Sequence, residues 1–265
     1  MIPLTVQEQH LPGSCLEEKF ERAVAWGFDG IELRAQGDLG FQNRLSELRR
    51  ARKNGVVMPT VCVDMLHFIG DFDEALRRDA VVQLRSQLSV MAELGGRGAV
   101  TPASYGMFSK RLPPFIPPRT QEEDTAVLVD VLGQLGGHAA REGVELYLEP
   151  LNRYEDHMVN TLAQGVELLR KVGLGSVKLA ADTYHMNIEE ADPAAALEAA
   201  GAFVGHVQAS DSNRLEPGAG NIDWARIGAA LKAMGYQGTV ALESRLSGPP
   251  ELVLPRVPEL LRRFL

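Results

Sequence analysis

The chain has only two cysteines, Cys15 and Cys62, in 265 residues. They fall in a helix-start segment and an apolar strand, without zinc-type spacing or the density of a disulfide scaffold, so reduced structural thiols are expected. No run approaches the ~20 consecutive apolar residues that span a bilayer, and Met1-Ile2-Pro3-Leu4 lacks the basic region and apolar block of a secretory leader. The expectation is a soluble cytoplasmic protein. A basic excess is missing too: 27 lysines and arginines face 35 acids, giving a net charge of -8 and a pI near 5.3. Affinity for nucleic acid comes mostly from cations neutralising phosphates, so no polynucleotide partner is expected. The glycine-rich phosphate turn that follows the first strand of a doubly wound dinucleotide-binding sheet is absent as well.

What is present is a core-forming composition, 45% hydrophobic, cut into repeating strand and helix segments. Ile2 to Gln7 reads as a strand, and Ser14 with Glu17 three residues on reads as a capping box opening a helix that Gly27 stops. Asp29 to Arg34, Val56 to Val63 and Gly98 to Val100 are the next three strands, with helices around Leu45 to Lys53 and along the Leu76, Ala80, Leu84, Leu88, Met91 stripe. A proline- and aromatic-rich segment, Ser104 to Thr120, is long for a connection and suggests an active-site cover. A helix from Gln121 to Glu142 leads to strand five. Thr161, Asp192 before Pro193, and Asp223 each mark a helix start, and one last helix is expected to end near Leu265. Eight such units at roughly 33 residues each suit a closed (β/α)8 TIM barrel forming a single domain over 1–265. An open doubly wound sheet is the alternative.

The last four strands share a design. Val144 to Glu149 ends in a carboxylate followed by Pro150, which has no backbone donor and should stop the ladder there. Leu179 to Asp182, Val204 to Gln208 and Val240 to Glu243 also end in polar, ligand-capable groups. Strand side chains alternate, so Tyr147 with Glu149, Ala180 with Asp182, His206 with Gln208, and Ala241 with Glu243 share directions. All four tips can face the barrel mouth, where the active sites of such barrels lie. Three carboxylates at that range repel strongly unless a divalent cation sits among them. An all-oxygen set completed by an amide favours Mg²⁺ or Mn²⁺, whereas an imidazole would suit zinc, so the choice between His206 and Gln208 bears on the metal.

The segments Leu148 to Glu155, Asp182-Thr183-Tyr184-His185, Gly205 to Gly220 and Leu242-Glu243-Ser244 resemble the xylose-isomerase-like sugar isomerase and epimerase superfamily. Within it the resemblance is closest to ketose 3-epimerases of the D-tagatose and D-psicose type. The resemblance implies a divalent ion, often manganese, held by Glu149, Asp182, Gln208 and Glu243. The family's ligating histidine is the second of a His-x-His pair, and this chain has Gln208 there. That departure is shared with hydroxypyruvate isomerases, which carry His-x-Gln and use the amide oxygen; His206 remains the alternative ligand. Resemblance also implies that Glu155, His185 and Arg214 grip the substrate, and that the protein forms a homodimer or homotetramer. His67 and His157 are left as structural.

A proton beside a ketone becomes removable when a divalent ion on the carbonyl and neighbouring hydroxyl oxygens stabilises the enediolate. Inversion needs a base on each face, and Glu149 and Glu243 are placed for that pair. The expectation is therefore a metal-dependent isomerase acting on a small sugar, most simply by ketose 3-epimerisation. The alternatives are aldose-ketose isomerisation of the hydroxypyruvate type, or dehydration of the inosose or 3-dehydroshikimate type. An apurinic endonuclease would need more than the six histidines present, and a sugar-binding barrel without catalysis would show no hydrogen exchange.

Overall fold

The computed structural model describes residues 1–108 and 116–265. Eight parallel strands close on themselves in chain order, each paired with its neighbours and β8 with β1. The elements run β1 Leu4–Gln7, α1 Leu16–Ala25, β2 Gly30–Gln36, α2 Gly40–Asn43, α3 Leu45–Lys53, β3 Thr60–Asp64, α4 Glu74–Glu93, β4 Gly98–Pro102 and α5 Gln121–Glu142. They continue as β5 Glu145–Glu149, α6 Leu162–Val172, β6 Val177–Asp182, α7 Thr183–Glu189, α8 Pro193–Ala200, β7 Val204–Ala209, α9 Trp224–Ala233, β8 Val240–Leu242, α10 Pro250–Val253 and α11 Arg256–Leu261. The expected (β/α)8 barrel is the observed fold. No helix among the described residues is long and apolar enough to cross a membrane.

Local chemistry sets most boundaries. Thr120 and Glu123 exchange side-chain and backbone hydrogen bonds to start α5, Thr161 and Gln164 do the same for α6, and the Asp192 and Asp223 carboxylates accept from the first turns of α8 and α9. Each such cap contributes about 1 kcal/mol. The expected Ser14 and Glu17 box does not form. The helix begins one residue later, with Cys15 at the cap, so Ser14 donates from N and Oγ to Glu18 instead. Glu17 turns to Arg50 and Asn54 of α3. Strand three begins at Thr60 rather than Val56, because Pro59 has no N–H for the ladder. The last helix is two, broken at Pro255. Of the expected Ser104 to Thr120 cover, residues 109–115 lie outside the described residues.

Two cores result. The large one lies between the barrel and its helices and takes the outward side chains, such as Leu146, Leu148, Leu179, Val207 and Leu242. The small one fills the lumen with Cys62, Val100, Tyr147 and Ala180. Glycines on two other strands make room for the Tyr147 ring: a Cβ on Gly98 would lie 2.8 Å from it, and one on Gly205 2.7 Å. Gly205 is also where the pairing of β6 with β7 shifts register, from Leu179 opposite Val204 to Ala180 opposite His206. The extra residue reverses the alternation. Val204 therefore packs outward among the helices, while His206 lies against the lumen ring of Tyr147, centroids 5.5 Å apart. On Gly98 the added Cβ would also meet the Glu145 carbonyl oxygen at 2.0 Å. Gly98→Ala should lower stability by about 3 kcal/mol, read as a shift of the urea midpoint at unchanged slope.

Candidate active site

Glu149 ends β5 and Asp182 ends β6, both buried at the mouth. Asp182 also caps α7, a short helix not expected from the sequence: its Oδ1 accepts from Tyr184 N at 2.7 Å. Three residues along a helix returns a side chain to the same face, so α7 carries His185 back over the strand ends. Ligand atoms of Glu149, Asp182 and His185 gather within 4.8 Å of one another. Gln208 is the direct register partner of Asp182. Glu243 follows β8, one residue beyond its last ladder position, and reaches the cluster through Arg214. The Arg214 guanidinium donates to Asp182 from Nη1, has Nη2 3.6 Å from Glu243, and lies over the Tyr184 ring at 4.9 Å.

The loop after β7 holds Arg214 in a left-handed backbone conformation, φ 61°. Its frame is the buried Asp211 carboxylate, which accepts from Ser212 N, Gly218 N, Ile222 N and Trp224 Nε1. Asp156 does the same for the loop after β5, accepting from three consecutive backbone N–H groups, of His157, Met158 and Val159, and from Ser104.

The protonation of His185 follows from its neighbours. Asn152 donates to its Nδ1 from both backbone N (3.1 Å) and Nδ2 (2.8 Å), and the amide orientation is set because Asn152 Oδ1 accepts from Tyr154 N. Burial holds the imidazole below its usual pKa, with Asp182 opposing. A neutral ring accepting at Nδ1 carries its proton on Nε2. That N–H faces Glu149 at 3.5 Å, Asp182 at 3.8 Å and Glu155 at 3.9 Å. His185 thus presents a donor to the site, whereas a metal ligand would need a lone pair there.

Electrostatics mark the same group. Burial, then the charges of Glu243 and Asp182, push the Glu149 carboxyl well above the usual range. Burial raises Glu243 to about 7 against the pull of Arg214, with Asp182 and Glu32 adding to the rise. Cys62 Sγ lies 3.9 Å from Glu243, its thiol pushed up by burial and then by Glu243, Glu32 and Glu149. Two oxygens here, Gln208 Oε1 and Glu243 Oε2, are buried with no hydrogen-bond partner among the described residues. Oxygen-rich, acidic and short of donors, the donor set fits a hard divalent cation.

Of the expected site residues, Glu149, Asp182 and His185 come together, Glu155, Arg214 and Gln208 adjoin them, and Glu243 lies outside the group within 4.8 Å, next to Arg214; Asn152 and Glu32 were not singled out from sequence. Asn152 stood in the quoted motif without a role, and Glu32 showed one signal, an acid inside an apolar strand. His67 and His157 pair with Asp79 and Asp124 at 2.9 and 3.0 Å and are not part of the cluster. A cavity of about 270 Å³ lined by Arg119, Asp124, His157, Gln164 and Lys171 lies on the outer flank of α5 and α6 and shares no residue with the cluster.

A sequence model of the xylose isomerase-like TIM barrel family matches residues 20–264. The chain belongs to that family. It is 40% identical to the 3-dehydro-D-guloside 4-epimerase of Escherichia coli K12 over 91% of each chain, and 31% identical to the D-psicose 3-epimerase of Agrobacterium fabrum over 84% of this chain and 77% of that one. The crystal structure of a 3-keto-D-glucoside 4-epimerase from E. coli superimposes with a TM-score of 0.92 at 36% identity, over 99% of this chain and all of that one. This xylose isomerase-like barrel is an enzyme of the sugar isomerase and epimerase class.

The raised carboxyls give the metal-free barrel a pH signature. Between the ordinary 4.5 and about 7 the folded Glu243 holds a proton that the unfolded chain has released. Stability should therefore fall as pH rises through that window, by up to about 3 kcal/mol. Thermal melts at pH 5 and pH 7.5 check this, and Glu243→Gln should flatten the difference.

Proposed function

We propose that the chain is a divalent-metal-dependent epimerase that inverts the hydroxyl-bearing carbon beside the ketone of a keto-sugar. The supporting observation is the pair of glutamates, buried Glu149 and half-buried Glu243, both raised above the usual carboxyl range, Glu243 to about 7, and standing to either side of Asp182 and Arg214. A carboxyl poised near the working pH can take a proton and return one. Glu149 serves one face of the substrate carbon and Glu243 the other. His185 Nε2–H and the Arg214 guanidinium donate to substrate oxygens, and Glu155, with its side chain 32% exposed at the rim, accepts from a hydroxyl.

The metal ligands are Glu149, Asp182, Gln208 through Oε1, and Glu243, with Mn²⁺ or Mg²⁺ the ions such oxygens prefer. When bound, the ion supplies Lewis-acid stabilisation of negative charge on the substrate oxygens. His206 is occupied elsewhere: its Nε2 lies 2.8 Å from Glu32 and its Nδ1 3.2 Å from Thr239. The two free cysteines fit a reducing, cytoplasmic setting. A homodimer or homotetramer is part of the same reading, and light scattering measures it.

The relatives favour a refinement. A 3-epimerase of a 2-ketose and a 4-epimerase of a 3-keto glycoside perform the same chemistry, each inverting the carbon next to the carbonyl. The 4-epimerase is the more similar of the two, by identity and by coverage. A 3-keto glycoside is therefore the favoured substrate, ahead of the ketose expected from sequence.

The test incubates the Mn²⁺-loaded enzyme in deuterated water with 3-keto glycosides and with D-psicose, D-tagatose and D-fructose, followed by NMR. The expected product is the epimer carrying deuterium at the inverted carbon. A dehydrated product, or no exchange with any member of the panel, would overturn the proposal. Glu149→Gln and Glu243→Gln should each lower turnover about a thousandfold with the circular dichroism spectrum retained, and near-normal turnover in either would remove that residue from its role. Chelation should abolish activity, and Mn²⁺ should restore it.

A further inference from the structure

Glu32 is neither a ligand nor a base in the chemistry above, yet it is wholly buried inside the barrel, and four side chains from three other strands converge on it. Its Oε1 accepts from Gln7 Nε2 at 3.1 Å and from Gln208 Nε2 at 3.4 Å. Its Oε2 accepts from Thr60 Oγ1 at 2.7 Å and lies 2.8 Å from His206 Nε2. The carboxyl oxygens are thus the acceptors of two amide nitrogens and a hydroxyl, each of which must turn a hydrogen toward them.

For Thr60 a hydroxyl rotation suffices, and His206 packs its Nε2 against Glu32 at 2.8 Å with Nδ1 left for the Thr239 hydroxyl at 3.2 Å. Gln208 is different, because its two ends are chemically opposite and a half-turn of the amide exchanges them. With Nε2 committed to Glu32, Oε1 is turned the other way. It lies buried without a partner, on the residue opposite Asp182 in the ladder. An amide with its nitrogen forward would set its oxygen against a carboxylate and a donor against the cation.

We infer that Glu32 is a positioning residue that locks the Gln208 amide with its oxygen toward the metal and withholds His206 from ligation by engaging its Nε2. The inference rests on Gln208 being a ligand, as proposed above. It accounts for a strand that carries both an imidazole and an amide and uses the amide. Glu32 acts through these two residues and touches neither metal nor substrate.

The experiment measures Mn²⁺ affinity by isothermal titration calorimetry and the visible spectrum of the Co²⁺-loaded protein, independent of turnover. In Glu32→Gln one of the two oxygen positions becomes a donor, and the Gln208 amide is no longer held. The Mn²⁺ dissociation constant should rise ten- to a hundredfold, and the Co²⁺ bands should shift. A ring nitrogen cannot be inverted by an amide flip, so in the Gln208→His background the same change should move affinity by less than about threefold. An unchanged affinity in Glu32→Gln, or an equal loss in both backgrounds, would reduce Glu32 to general support of the fold. Gln208→Ala separates the two levels: if it leaves Mn²⁺ affinity intact, the ligand set itself is wrong and the inference falls with it. Should Glu32→Gln fail to fold, the crystal structure of the Mn²⁺-loaded wild type decides. Gln208 Oε1 on the ion with Nε2 on Glu32 supports the inference, and Nε2 turned from Glu32, or His206 on the ion, overturns it.

Discussion

Like charge confined at the barrel mouth is the constraint on which the site depends. Glu149, Asp182 and Glu243 are brought close enough for each to raise the cost of ionising another, and burial adds to that cost. Arg214 answers part of it, binding Asp182 and approaching Glu243, with its own charge strengthened by both. One guanidinium cannot balance three carboxylates. The surplus negative charge suits the site to a divalent ion, and it leaves the Glu149 and Glu243 carboxyls raised above the usual range, a mark of functional sites.

Rigid supports hold this unfavourable arrangement together. Asp211 and Asp156 each gather backbone N–H groups to fix a loop, Asn152 settles which nitrogen of His185 bears the proton, and Glu32 gathers four side chains inside the barrel. These groups are buried polar residues with their hydrogen bonds satisfied, and so define one geometry at little cost. Gln208 and Glu243, by contrast, each keep a buried oxygen without a partner among the described residues.

Much of this was legible along the chain. The eight-unit count, the capped helices α5, α6, α8 and α9, and the polar tips of β5 to β8 follow from local rules: period-two alternation, Pro150 ending a ladder, and Thr or Asp before a helical stripe. Boundaries slipped where a proline or a one-residue offset mattered, as at Pro59, Pro255 and Ser14. Helix α7 escaped notice because seven residues are too few for a stripe, and its start depends on Asp182, which had already been read as a strand tip. Glu32 and Asn152 escaped because nothing local distinguishes a buried acid or amide that serves another residue from one that faces solvent.

The one-dimensional pattern determined the barrel and the candidate ligands, since strand alternation and helix capping are properties of a few neighbouring residues. The folded chain alone decided which partners the two strand-seven side chains take, with Gln208 Nε2 donating to Glu32 and His206 packed against the same carboxyl. That choice depends on Gly205 shifting the register beside β6 and on a carboxylate 176 residues away in sequence from Gln208. Hydrogen-bond direction between groups so distant is set only when closure of the barrel brings them within reach, and no spacing along the chain encodes it.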